Sequence, residues 1–298
     1  MFKSLIRTFA IVAAFIAGYM MPGPHVYSWT FKWMLVVMRL VTFLGIRFKR
    51  MKPERAHWLL TGANLMVALA AWGVCRLVFG DGYLAQAAFF VGIMPTATAA
   101  PVVMGLLGGS VEFMLTALLL INGIICTLLP FILPAVVGRG GFEIYLNVAQ
   151  NISLVMLLPL ALALAARRFY PRAIAWPRKL KDVTFGIWVV ILVLIAANAS
   201  YDISSREGIS ERVLEQIGVI ALLVCGVNFG LGYLLGGRTR AAECSQALGQ
   251  KNTTLSIYLA LTYASPIAAL GPTFYVLWHN LWNAWQLYRV SERKRRDG

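Results

Sequence analysis

Polar side chains inside apolar runs are scarce in this 298-residue chain, which is 59% hydrophobic and 13% charged. The few that occur there are the candidates for chemistry. Ile93-Met94-Pro95-Thr96-Ala97-Thr98-Ala99-Ala100-Pro101 sets Thr96 and Thr98 between two prolines. Leu248-Gly249-Gln250-Lys251-Asn252-Thr253-Thr254 sets an amine, two amides and two hydroxyls between apolar stretches. Such groups suit solute binding and ion or proton handling, and a lysine inside an apolar segment marks a functional position. Covalent chemistry has no foothold. No His-Glu-x-x-His, Cys-x-x-Cys or Gly-x-Ser-x-Gly arrangement occurs, and His57 and His279 stand alone. Cys75, Cys126, Cys225 and Cys244 lack paired spacing and are expected as free thiols. No enzyme, metal site or cofactor is expected.

The elements that must position these residues follow from apolar runs and breakers. Ten candidate spans lie near 5–22, 29–46, 57–79, 84–108, 111–138, 143–166, 183–200, 214–236, 239–265 and 268–288. Each approaches the about 20 apolar residues that cross a bilayer. The expected fold is an all-α membrane protein of ten transmembrane helices. Five spans on either side of the loop at 139–142 give two halves of opposite orientation, an inverted-repeat plan. The two polar runs fall in spans 4 and 9, at matching places in the halves. Paired prolines remove backbone donors and clash with the preceding turn, so both spans are expected to be broken at Pro95 to Pro101 and Gly249 to Thr254. A half-helix start offers a positive dipole end to an anion, and a half-helix end offers carbonyls to a cation. The alternative is a pair of packed kinks, with hydroxyls mending the gaps.

A net charge of +15 suggests nucleic acid only if the basic residues share one soluble face. They fall between spans instead. With the N-terminus inside, the cytoplasmic side collects Lys3, Arg7, Arg47, Lys49, Arg50, Lys52, Arg55, Arg167, Arg168, Arg172, Arg178, Lys179, Lys181, Arg238, Arg240, Arg289, Arg293, Lys294, Arg295 and Arg296. The outside holds Lys32, Arg76, Arg139, Arg206 and Arg212. This is the positive-inside asymmetry. It predicts a multi-pass protein of the cell membrane with both termini cytoplasmic, lipid headgroups as neighbours of the basic loops, and no nucleic-acid partner. Met1 to Met21 has the basic and apolar parts of a signal peptide without a small-x-small cleavage site, and is taken as a retained first span.

Arg39 and Lys251 are the basic residues left inside spans. Arg39 either reaches the nearby interface or joins Lys251 in an anion site. Glu112 after Ser110 suits a helix start. Glu243, one turn before Ala247, is expected in an ion pair with Arg238 or Arg240, or in place of a missing acid. Trp278, Trp282, Trp285 and Tyr288 form a stripe suited to interface anchoring.

Pro95 to Val111 and Gly249 to Trp282, together with Asn228-Phe229-Gly230-Leu231-Gly232-Tyr233-Leu234-Leu235-Gly236 and Trp278-His279-Asn280, resemble the bile acid:sodium symporter family over nearly the whole chain. The resemblance implies one transporter unit over 1–298. A panel domain would cover about 1–50 and 143–200, and a core domain about 57–138 and 214–288. In the core the broken helices 4 and 9 cross, substrate binds between the domains, and 289–298 is a basic cytoplasmic tail. The family's first break reads Pro-Gly-Gly-Thr-Ala-Ser-Asn, which puts its sodium-binding Ser and Asn on Ala100 and Pro101. Two hydroxyl ligands in the next helix fall on Met114 and Leu118. The second break, Glu-Val-Gly-Met-Gln-Asn-Ser-Gly, puts the shared Glu on Ala247, the Gln on Lys251 and the Asn on Asn252. A third-span Gln corresponds to Asn64.

Sodium needs several hard oxygen ligands, and most are missing at these positions. The expectation is a secondary transporter of a small organic anion without sodium at the family's sites. Lys251, Asn252, Thr253, Thr98, Asn64 and Gln250 are its substrate- or ion-binding residues, with Thr96, Arg39 and Glu243 as further candidates. The Lys251 ammonium would occupy the second sodium position, held by nearby carbonyls and Asn64, Asn252 or Thr98. Burial disfavours a charged amine, so its protonation could couple to transport; alternatively it snorkels to water and stays charged. A proton-coupled carrier, exchanger or uniporter of a neutral solute, and a non-transporting receptor, remain alternatives. Oligomeric state is left open.

Overall fold

The computed structural model describes residues 13, 14, 16–21, 23–46, 51–80, 82–205 and 211–296. The start of the expected first span (5–12), Lys3, Arg7, Arg47, Lys49, Arg50, Arg206 and the last two residues of the tail lie outside them.

Among the described residues every regular element is helical. A segment in lipid must pair its backbone groups internally, and a helix does so within itself. After a 3-10 stretch at Gly23–Thr30 come α1 (Phe31–Leu44), α2 (Arg55–Phe79), α3 (Gly82–Ile93), α4 (Ala100–Leu107) and α5 (Val111–Val136). Then follow α6 (Phe142–Phe169), α7 (Lys181–Ser205), α8 (Glu211–Gly249), α9 (Thr253–Tyr263) and α10 (Pro266–Arg296). α2, α5, α6, α8 and the Lys181–Asn198 part of α7 are long and apolar enough to cross a membrane.

Both breaks are shorter than the sequence suggests. α3 stops at Ile93 and α4 starts at Ala100, so Pro101 lies inside α4. At a first helical turn its missing N–H costs nothing, because that group would be unpaired anyway. α8 runs through Gly249 and α9 begins at Thr253, leaving residues 250–252 non-helical. The expected boundary between spans 8 and 9 is a tight reversal within α8 at Gly237 (φ 56, ψ −141) and Arg240 (φ −129, ψ 18). The basic residues up to Arg296 continue α10 and do not form a separate tail.

The chain divides into two compact units, residues 1–46 with 141–210 and residues 47–140 with 211–298. In the first, α1 packs on α6 and α7. Arg167 donates to the carbonyls of Leu44 and Ile46 at the end of α1. Asn198 reaches back to Ser28, and His25 stacks on Tyr201 with centroids 3.8 Å apart.

The second unit is built around α3, whose residues 84, 85 and 87–93 are all buried, as befits a helix that is apolar all round. α2, α8, α9 and α10 surround it. Glycines set the approach. A Cβ on Gly92 would lie 2.5 Å from Ala68 Cα, one on Gly271 2.8 Å from Ala87 O, and one on Gly232 2.4 Å from Cys244 O. Lipid is as apolar as leucine, so close small-residue contacts and hydrogen bonds hold membrane helices together. One end of this unit gathers three links. Arg240 pairs with Glu54 at 2.8 Å and with Glu243 at 3.7 Å, and Ser110 N donates to Glu243 Oε1 at 3.1 Å. Residues 51–54, 108–110 and 237–240 therefore meet there.

Gly92→Ala puts a methyl group into the Ala68 backbone and is expected to cost about 1–3 kcal/mol, the usual range for overpacking. Gly73→Ala, whose added Cβ meets nothing within 4 Å, leaves stability unchanged or raises it. Thermal melting of the detergent-purified variants makes the comparison.

Candidate functional site

The two breaks cross in the second unit and pair as extended backbone. Thr96 and Lys251 form an isolated antiparallel bridge. Ala97 N donates to Gln250 O at 2.8 Å, and Asn252 N donates to Pro95 O at 2.8 Å. Side chains alternate faces in extended backbone, so Lys251 leaves one face while Gln250 and Asn252 leave the other.

Lys251 is 1% exposed. Its Nζ donates to Asn64 Oδ1 of α2 and, at 3.2 Å, to the Gly92 carbonyl near the end of α3. A helix C-terminus carries partial negative charge and favours a cation. No carboxylate pairs with Lys251 among the described residues; its charge faces an amide oxygen and the end of a helix. Asn64 is oriented by a second bond, from its Nδ2 to Ile93 O at 3.1 Å.

Several other carbonyls at the breaks are also taken. Phe90 O accepts from Ser256 Oγ at 2.6 Å, completing three of the last four carbonyls of α3 with Gly92 and Ile93. At the end of α8, Gln246 O accepts from Gln250 N at 2.9 Å, Ala247 O from Thr96 Oγ1 at 2.8 Å and Gly249 O from the Tyr275 hydroxyl at 2.7 Å. Thr96 O accepts from Asn122 Nδ2 at 2.9 Å. Hydrogen bonds from the protein thus engage most of the carbonyls at the helix ends that a cation could use.

The sequence candidates divide accordingly. Lys251, Asn64 and Thr96 come together at the crossing. Asn252 does not bond Lys251; its Oδ1 caps α9, accepting from Leu255 N at 3.4 Å and Thr254 Oγ1 at 3.1 Å. Thr98 does not bond Lys251 either, and lies half-buried in the turn before α4. Thr253 is buried as the first residue of α9, and Gln250 is buried beside it. Glu243 is committed to Ser110 N and Arg240. Arg39, in the first unit, does not reach an interface: it is 3% exposed with its guanidinium against Met156 Sδ. Ala100, Met114, Leu118 and Ala247 are buried and supply no side-chain oxygen. Asn122, Ser256 and Tyr275 escaped the sequence. Their one signal was a lone polar group in an apolar run, which many packed helices share.

No known family profile matches the chain. It is similar to an uncharacterized sodium-dependent transporter of Bacillus subtilis (strain 168), YocS, with 23% identity over 297 residues covering 92% of this chain and 88% of the relative.

Lys251→Met leaves Asn64 Oδ1 and Gly92 O buried without a donor and is expected to destabilise by about 1–3 kcal/mol for each acceptor. Combined with Asn64→Leu, the loss is less than the sum of the single losses. A double-mutant cycle in unfolding is expected to give a coupling of about 0.5–3 kcal/mol.

Proposed function

We propose that this chain is a secondary transporter that moves a small organic anion by alternating access, with no sodium at the positions used by the bile acid:sodium symporter family. The observation that carries this is the Lys251 ammonium held by Asn64 and Gly92 where two broken helices cross. In a sodium-coupled site, a cation must arrive before such a crossing is neutralised and held. Here the chain supplies the cation itself, and Ser256, Thr96, Asn122 and Tyr275 satisfy the remaining carbonyls.

The wider architecture in this proposal is ten spans in two inverted five-helix repeats. The unit of residues 1–46 and 141–210 would be the panel, and that of 47–140 and 211–298 the core. The division of the chain at those points supports it, and so does the relative described as a transporter over most of both chains. Sodium dependence is part of that relative's description; the apolar residues at Ala100, Met114, Leu118 and Ala247 argue against carrying it over. The starts of α4 and α9, with Thr98, Asn252 and Thr253 beside them, favour an anion through the positive ends of their dipoles. Both termini would be cytoplasmic in the cell membrane, with anionic lipid along the basic loops. A second possibility, proton coupling through Lys251, is favoured by the absence of a paired carboxylate among its described neighbours.

The test is the melting temperature of the purified protein in sodium chloride against choline chloride at equal ionic strength. No sodium-specific shift is expected for the natural chain, and Ala247→Glu with Lys251→Gln is expected to gain one. Sodium-specific stabilisation of the natural chain would sink the proposal. Uptake from a panel of labelled carboxylates into proteoliposomes is expected without a sodium gradient.

A further inference from the structure

A buried polar seam leaves the crossing along α10. Tyr275, His279, Asn283 and Gln286 recur at helical spacing on one face. At the crossing, the Tyr275 hydroxyl donates to Gly249 O and accepts from Asn228 Nδ2 at 3.4 Å. Gly249, whose carbonyl takes this bond, lies two residues before Lys251. His279 meets the Tyr275 ring edge-on, with centroids 5.5 Å apart. Farther along, Gln246 Nε2 donates to Asn283 Oδ1 at 3.1 Å and to Gln286 Oε1. Gln246 lies one turn beyond Glu243, so the seam ends at the Glu54–Arg240–Glu243 cluster.

Three atoms on this seam have no hydrogen-bond partner among the described residues: Asn228 Oδ1, Gln246 Oε1 and His279 Nδ1. Their residues are 0%, 0% and 7% exposed. The bonds donated by Asn228 and Gln246 fix which way those amides point, so their open atoms are oxygens. A buried acceptor left unmade costs about 1–3 kcal/mol, and native proteins meet such groups with ordered water. Two open amide oxygens call for donors and an imidazole nitrogen for a partner of either kind, and water both donates and accepts.

We propose that ordered water threads this seam and carries protons between the carboxylate end of the unit and Lys251. This rests on Lys251 being the charged group at the crossing. A proton enters from solvent beside Glu54 and Glu243, passes along hydrogen-bonded water and His279, and ends on the Lys251 amine; discharge runs the same steps backwards, so no other bond changes. The titratable residues of α8 and α10 near this route are Cys225, Cys244, Glu243, Tyr275 and His279. The neighbouring helices add Tyr83 on α3, Tyr258 and Tyr263 on α9, Glu112 and Cys126 on α5, and His57 on α2.

X-ray hydroxyl-radical footprinting of the full chain in detergent tests this, because radiolysis of bound water marks buried residues that touch it. Rates normalised to the unfolded chain are expected to be several-fold higher at Tyr275 and His279 than at Phe89 and Phe90; Tyr275 is as fully buried as the two phenylalanines. Equal protection of all four overturns the proposal. Gln246→Leu with Asn283→Leu plugs the seam; labelling at Tyr275 and His279 is then expected to fall to the phenylalanine level. Carbamylation of Lys251 by cyanate, read by mass spectrometry against Lys52 as a solvent-side control, is expected to slow in the same variant. Unchanged carbamylation overturns the proton route even if the seam is wet. His279→Leu gives a second blocking variant should the double one not fold. Sodium-specific stabilisation of a protein with a wet seam would remove the sodium-free transport proposal alone, and a dry seam without a sodium response would remove this one alone.

Discussion

A carbonyl freed from a helix at membrane depth must find its donor inside the protein, and the crossing in the second unit answers to that constraint. Breaking α3 and α8 puts the ends of two helices beside each other in the interior. Each end presents open oxygens and partial negative charge. The chain resolves this in two ways. Backbone pairs with backbone across the bridge at Thr96 and Lys251, and side chains from α2, α5, α9 and α10 donate to what is left. Lys251 differs from the other donors in bringing a full positive charge to the end of α3. An isolated buried charge is costly. The helix end, the Asn64 oxygen and the surrounding dipoles offset part of that cost, which is how such a residue persists in an apolar interior.

That arrangement separates two jobs that one bound ion would perform together. A metal cation at a crossing both satisfies the carbonyls and makes the geometry conditional on its arrival. Side-chain donors satisfy the carbonyls they reach unconditionally, so the crossing is organised without a bound ion. Under the proposed proton coupling, what stays conditional is the amine proton, which passes to an acceptor and returns without moving a helix.

Much of this was legible in the sequence, for physical reasons that differ by residue. Apolar runs ended by Gly80 and Gly108, both with positive φ, announce helix ends because few other residues accept that backbone. The breaks were legible from Pro95 and from the polar run at Gly249. Their edges were not, since Pro101 at a first turn and Gly249 at a last one are tolerated inside helices. Lys251 stood out as an ionisable residue in an apolar span, and Asn64 through the family resemblance. Asn122, Ser256 and Tyr275 looked ordinary, because what gives them a role is a carbonyl far away in the chain. Arg39 could be placed at an interface or in the interior by spacing alone; only packing against Met156 decides.

The bonds that close the crossing join residues far apart in sequence: Asn64 with Lys251, Phe90 with Ser256, and Thr96 with Ala247 are separated by 187, 166 and 151 positions. During synthesis the end of α3 therefore enters the bilayer long before its partners exist. Contacts of such separation form late and slowly. Until Tyr275 has left the ribosome, the first half of the chain holds an unfinished helix end. The second half is then the template on which that end is completed.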